Sequence, residues 1–249
     1  GVEPYTEPVP VYPTAHYAMG GIPTNVTTQV LRNNTDVIPG LFAAGEVACV
    51  SVHGSNRLGT NSLLDINVFG KRAGIAAAEY AVNAEFLELP EDPTAHIEAD
   101  LERMRSGSGT ERVATLRKEL QESMDRNAQV FRTDESLTVA LADIHALKER
   151  YKNVGVSDRG KSYNTELVEA IELGFLLDIA EVVVVGALAR KESRGGHFRE
   201  DFPDRDDAEF MLHTMAYGTE TYQGLAGSSV RLDYKPVTVT RYQPMERKY

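Results

Sequence analysis

The sequence predicts an α/β segment followed by an α-helical bundle and an extended C-terminal arm. Three observations lead there. Residues 1–87 are rich in Gly, Pro and Thr and carry only short apolar runs; residues 88–227 carry long apolar stripes at helical spacing; residues 228–249 alternate apolar and polar side chains.

The elements follow in order. "PVYPTAHYAMGGIPT" (10–24) alternates and turns at Gly20-Gly21. "TQVL" (28–31) reads as a strand, "RNNTD" as a turn, and "PGLFAAGE" (39–46) as a short buried strand punctuated on both sides. In "VHGSNRLGTNSLLD" (52–65), Ser62 and Asp65 match an S/T-x-x-D/E capping pattern, and Ile66, Phe69, Ala73, Ala76 and Tyr80 share one helical face, so a helix starts near Ser62.

"ELPEDPTA" (88–95) is a Pro-containing hinge. One stripe beyond it joins Val113, Leu116, Leu120, Met124 and Phe131; a second joins Leu137, Leu141, Ile144, Leu147 and Tyr151. Leu167 to Ala189 reads as a third helix, buried almost all round. Asp178 and Glu181 interrupt its apolar run, which argues for a core helix with two carboxylates at a polar edge rather than a membrane span. "SGSGT" (106–110) is a turn, and no G-x-G-x-x-G occurs. In the last segment Val230, Leu232, Tyr234, Val237 and Val239 alternate, as expected of an arm lying across another surface.

Composition narrows the function. With 42% apolar residues, 249 residues can bury a substantial core. A formal charge of -11 excludes non-specific binding to nucleic acid, whose phosphates would be repelled. The one cysteine, Cys49, cannot form an intrachain disulfide, and with His53 it supplies two ligands at most, which do not make a zinc site; a small buried thiol is its expected role. No stretch reads as a signal peptide, and the opening "GVEPYTEPVP", without an initiating Met, reads as the middle of a longer chain.

Chemistry concentrates in three places. A helix mouth with glycines at 54 and 59 offers backbone N–H groups to an anion, and Arg57 adds a planar fork that fits a carboxylate or phosphate bidentately. The alternative is an ion pair between Arg57 and an acidic side chain elsewhere in the fold. His16, just before the double glycine, can donate to a carboxylate or serve a structural role. Glu46, at the end of its strand, suits a cofactor hydroxyl or simply a polar turn. The segment "RKESRGGHFREDFPDRDD" (190–207) sets Arg190, Arg194, Arg199 and Arg205 among six acids and is expected to be a bracing ionic network.

Taken together, "PTAHYAMGGIPT", "GLFAAGEVACVSVHGSNRLGTNSLLD" and "RKESRGGHFREDFPDRDD" resemble the flavoprotein subunits of the succinate dehydrogenase, fumarate reductase and L-aspartate oxidase family, over the C-terminal part of such a subunit. The loop "GSNRLGTNS" and the ending "QPMERKY" look most like actinobacterial dehydrogenases. The resemblance implies that residues 1–87 are the C-terminal part of an FAD-binding domain, that His16 and Arg57 bind a carboxylate of succinate or fumarate, and that Glu46, Ser62 and Leu63 contact FAD. Hydride would pass to the flavin, electrons onward to an iron–sulfur subunit, and a membrane anchor would hold the assembly peripherally at the cytoplasmic face of the bacterial inner membrane. The family's nucleotide-binding glycines, covalent-FAD histidine and proton-shuttling arginine match nothing here and would lie upstream of Gly1, so no catalytic residue is assigned and the piece by itself is expected to be inactive. Ala18, Ser55 and Thr60 stand where relatives often carry Met, Ala and Gly. L-aspartate oxidase and fumarate reductase are the neighbouring alternatives; a non-catalytic helical interaction module is the alternative of another class.

Overall fold

The computed structural model describes residues 1–11, 16–219, 223–227 and 229–245. The start of the His16 segment (12–15) and the last residues of "QPMERKY" lie outside them. The chain divides into two compact units, Gly1–Phe86 and Leu87–Tyr249.

In the first unit, β1 (Ile22–Pro23) pairs in parallel with β4 (Ala48–Cys49), and β2 (Gln29–Leu31) pairs antiparallel with β3 (Val37–Phe42). The expected buried strand at 39–46 therefore starts earlier, stops at Phe42, and is exposed through its middle, because among the described residues β2 is its one sheet neighbour and Pro39 and Gly40 bury little. The turn before it is built by the Asn33 side chain, whose Oδ1 accepts from the N–H groups of Thr35 (2.9 Å) and Asp36 (2.8 Å). Gly21 shows why a glycine is required beside β4: its φ is +115°, and a Cβ would collide with the Val47 carbonyl.

Helix α1 (Asn61–Asn83) begins one residue before the expected start, but not through the expected cap. Thr60 occupies the N-cap in the left-handed region (φ 66°) with no side-chain cap hydrogen bond, and Asp65 is turned to His53 instead. A carboxylate offered a buried imidazole partner gains more than one exposed at a helix start. The helix rests on β3 through an edge-to-face contact of Phe42 with Tyr80, ring centroids 6.2 Å apart.

The second unit is a four-helix assembly: α2 (Ala95–Arg105), α3 (Val113–Asn127), α4 (Asp134–Tyr151) and α5 (Thr165–Ala189). The two stripes read from spacing face its core, where Leu116, Leu137 and Ile144 are wholly buried together with Leu173 and Leu177 of α5. Phe131 is the exception. It lies beyond α3, is exposed, and meets Phe198 edge-to-face at 5.8 Å. Helix α2 was not foreseen; its inner face comes down to Met104 alone. Helix α4 carries a capping box made by Thr133 and Ser136, and α5 is capped by Asn164, which accepts from the Leu167 N–H at 2.8 Å.

Two expectations for α5 are corrected. It is not buried all round: Val168, Phe175, Leu176, Ile179 and Val183 are exposed, since an apolar composition does not specify how many neighbours a helix has. Nor do its carboxylates sit at a polar edge. Lys148 of α4 reaches across to Asp178 (2.7 Å) and to buried Glu181, and His145 approaches Glu181 at 3.1 Å, so the charges form a pair between helices. Close packing is also evident at Gly174, where a Cβ would lie 2.7 Å from the Tyr151 hydroxyl, which donates to the Ala170 carbonyl at 2.8 Å.

The charged segment braces the end of α5 as its composition suggested. Glu192, fully buried, receives Arg190 and Arg194 (2.7 Å), and Arg194 also reaches Asp207 at 2.8 Å. Arg199, fully buried, clasps Asp201 and donates to the Ala187 carbonyl at 2.9 Å, satisfying an orphan acceptor at the helix C-terminus. His197 lies between the Arg132 guanidinium (3.0 Å) and the Arg190 carbonyl (3.0 Å). Burial, reinforced by the arginines around it, keeps its imidazole below the usual histidine range and therefore neutral. The C-terminal stretch is extended over Arg231–Pro236 as a strand, β6, paired antiparallel with β5 (Leu212–Tyr217), from Leu212 opposite Pro236 to Tyr217 opposite Arg231.

Candidate functional site

The site lies in the first unit, where the segment 16–21 meets the loop 52–60 at the mouth of α1. Arg57 is half-buried. Its backbone N–H points at the Met19 sulfur (3.1 Å), its Nη1 donates to the Leu58 carbonyl (3.1 Å), and its guanidinium carbon sits 4.5 Å from the Tyr17 ring centroid. Its Nε is buried and has no hydrogen-bond partner, and no acidic side chain among the described residues pairs with it. An internal ion pair was the alternative left open by the sequence. Its absence among the described residues leaves a permanently charged fork with a free N–H edge.

Tyr17, which sequence reasoning passed over, is the centre of the arrangement. Its phenol is pushed above the usual range by burial first, then by the carboxylates of Asp65 and Glu46, against the opposing pull of Arg57. The hydroxyl stays protonated at neutral pH. The available signal was its position beside His16 in "AHYAMGG". His53 completes the group: its ring meets Tyr17 edge-on (centroids 5.8 Å, interplanar angle 81°), and its Nε2 lies 2.9 Å from Asp65 Oδ2.

Arg57 is thus brought to the Tyr17 ring, and exposed His16 directly precedes that ring in the chain. Glu46 is exposed in the turn before β4, four residues past the end of β3. Ser62 and Leu63 lie in the first turn of α1, Ser62 half-buried and Leu63 exposed. With no cap from Thr60, the Ser62 N–H makes no hydrogen bond among the described residues. Gly54 and Gly59 face open space, leaving the backbone of the loop approachable. A hollow of about 420 Å³ at the far end of α1, between Gln29 and Asn83, offers the carboxylate of Glu79 and no cation, so it lacks the chemistry to hold an anion.

The left-handed Thr60 is strained. A non-glycine residue there costs about 1–2 kcal/mol, of which glycine's greater freedom in the unfolded chain offsets about 0.5–1. Thr60→Gly is expected to stabilise the protein by about 1 kcal/mol, seen as a higher midpoint in urea unfolding; an unchanged or lower midpoint would show the strain to be relieved by contacts of the threonine side chain.

Two family descriptions match the chain: an FAD binding domain over residues 1–63 and the C-terminal region of fumarate reductase flavoproteins over residues 117–249. Among similar proteins, the succinate dehydrogenase flavoprotein subunit of Rickettsia bellii is 48% identical over 96% of this chain and 40% of its own length. The fumarate reductase flavoprotein subunit of Mycobacterium tuberculosis is 40% identical over 100% of this chain and 42% of its own length. A solved quinol fumarate reductase of E. coli superposes with a TM-score of 0.88 at 38% identity, covering 98% of this chain and 40% of the other. The chain spans about two fifths of the length of these relatives.

Proposed function

The chain belongs to the family of succinate dehydrogenase and fumarate reductase flavoprotein subunits, and from that premise we propose that it is the C-terminal part of an FAD-dependent oxidoreductase interconverting succinate and fumarate. The observation that carries this reading is Arg57, a half-buried cation whose Nε has no partner and which pairs with no acid among the described residues. A dicarboxylate would complete it. The free edge of the guanidinium takes one substrate carboxylate bidentately, and the His16 imidazole donates to the same end of the molecule. Holding the substrate so fixes the position of the carbon that reacts and stabilises charge that builds on the carboxylate. No side chain here is assigned the proton transfer.

Glu46, Ser62 and Leu63 are the residues that would hold FAD. Support comes from the free Ser62 N–H at the uncapped helix start, a donor with the positive end of the helix dipole behind it, and from the exposed Glu46 carboxylate, an acceptor for a hydroxyl. Bound there, FAD supplies the hydride acceptor. By the same reading, an iron–sulfur subunit takes electrons from the flavoprotein through its helical unit, and a membrane anchor holds the assembly at the cytoplasmic face of the bacterial inner membrane. No helix among the described residues is long and apolar enough to cross a membrane.

The test is the visible absorbance of the complete flavoprotein. The flavin band is expected to bleach on addition of succinate and to recover with fumarate, while aspartate leaves it unchanged. Bleaching by aspartate alone would make the protein an L-aspartate oxidase; indifference to both compounds would overturn the reading.

A further inference from the structure

Arg57 does not hold itself in place. A free arginine side chain has many rotamers, and freezing them on binding costs on the order of 1–2 kcal/mol, so an anchor that is already oriented binds more tightly than one that is not. Among the described residues its guanidinium makes one hydrogen bond, to the neighbouring Leu58 carbonyl, and one aromatic contact, over Tyr17. The ring is the feature that fixes where the guanidinium lies, because the cation is held over the aromatic face and its N–H groups must reach out from there.

Tyr17 in turn is buttressed. His53 meets it edge-on, and His53 is locked by Asp65, whose side chain is 4% exposed and whose backbone belongs to α1. With Nε2–H donating to the carboxylate, the imidazole ring is fixed in both rotation and tautomer. This explains an otherwise wasteful arrangement. Asp65 is a buried acid that forgoes the helix cap, and His53 keeps a buried Nδ1 without a partner. A rigid helix, a buried carboxylate, an imidazole and a phenol thus stand in series beneath the guanidinium. Supporting shells of this kind fix the geometry of the group they carry.

We propose that Tyr17, held by the Asp65–His53 pair, is the positioning residue that orients Arg57 toward the carboxylate of the dicarboxylate. This rests on the reading of Arg57 given above. The phenol ring is the working part, and the hydroxyl is not required.

The test is the inhibition constant for malonate, a dicarboxylate that binds without reacting, in the complete flavoprotein. Tyr17→Leu is expected to weaken malonate by about 3- to 30-fold, the range a cation–π contact supports, and Tyr17→Phe to stay within about 2-fold of the original. His53→Gln, which keeps a donor for Asp65 but removes the ring beneath Tyr17, is expected to weaken malonate about 3-fold and serves as the test if Tyr17→Leu does not fold. Malonate binding unchanged in Tyr17→Leu, or in His53→Gln where that is the test, overturns the proposal, as does a Tyr17→Phe variant as weak as Tyr17→Leu. Arg57→Ala separates the two layers. If it leaves malonate binding intact, the reading of Arg57 fails and takes the proposal with it; if it abolishes binding while Tyr17→Leu does not weaken it, only the positioning role fails.

Discussion

Arg57→Ala in the complete flavoprotein is expected to lower kcat/KM for succinate by about three powers of ten, the loss typical when a preorganised charged donor is removed from a developing charge. The structure gives the reason for so large an effect. Arg57 has no acidic partner among the described residues, so no ion pair inside the first unit is broken by the change and the whole loss falls on the ligand. Arg57→Lys is expected to recover little, staying about 100-fold below the original, because a point charge on a flexible stem does not fork onto two oxygens. Steady-state kinetics check both. A fall of less than about 10-fold in Arg57→Ala would mean that the carboxylate is held elsewhere.

The largest effect on stability is expected at Arg199. It is fully buried, clasps Asp201 at 2.8 and 2.7 Å, donates to the Ala187 carbonyl and rests over the Phe202 ring at 5.1 Å. Arg199→Ala empties a fully buried site, removes the cation from half-exposed Asp201 and leaves the Ala187 carbonyl at the end of α5 without its donor, a loss of about 2–4 kcal/mol. Urea unfolding followed by circular dichroism reads this directly, and a loss under about 1 kcal/mol would contradict it. The acid side offers a second reading. Arg199 holds the Asp201 carboxyl down at about 2. Since that lies below its unfolded value, the pair's contribution is complete above about pH 4 and is lost as the pH falls toward 2. In Arg199→Ala that part of the acid-side loss should be missing.

Much of the second unit was legible because helical periodicity is a local property. Leu116 and Leu120 in one stripe, and Leu137, Ile144 and Tyr151 in the other, are the core that their spacing implied. Helix α2 escaped although Ile97, Leu101 and Met104 stand at helical spacing, because the helix is short, follows the Pro-containing hinge and buries only Met104 fully. At the candidate site, the helix start near Ser62 was readable from the apolar face that follows it, though its cap was not. Tyr17 was marked only by its place beside His16, since a sequence does not say which distant ring a guanidinium will cover.

By itself, then, the sequence determined the helices α3, α4 and α5, where the Gly-rich loop opens α1, and that four arginines would be braced by acids at the end of α5. These follow from backbone preference, spacing and the cost of leaving charges unpaired. Only the tertiary structure decided the partners. Asp65 matches a capping residue yet serves His53; Glu181 reads as an edge charge yet is buried against Lys148; α5 reads as fully enclosed yet exposes Phe175 and Ile179. In each case several local arrangements lie within a few kcal/mol of one another, and the selection among them is made by packing against residues far away in the chain.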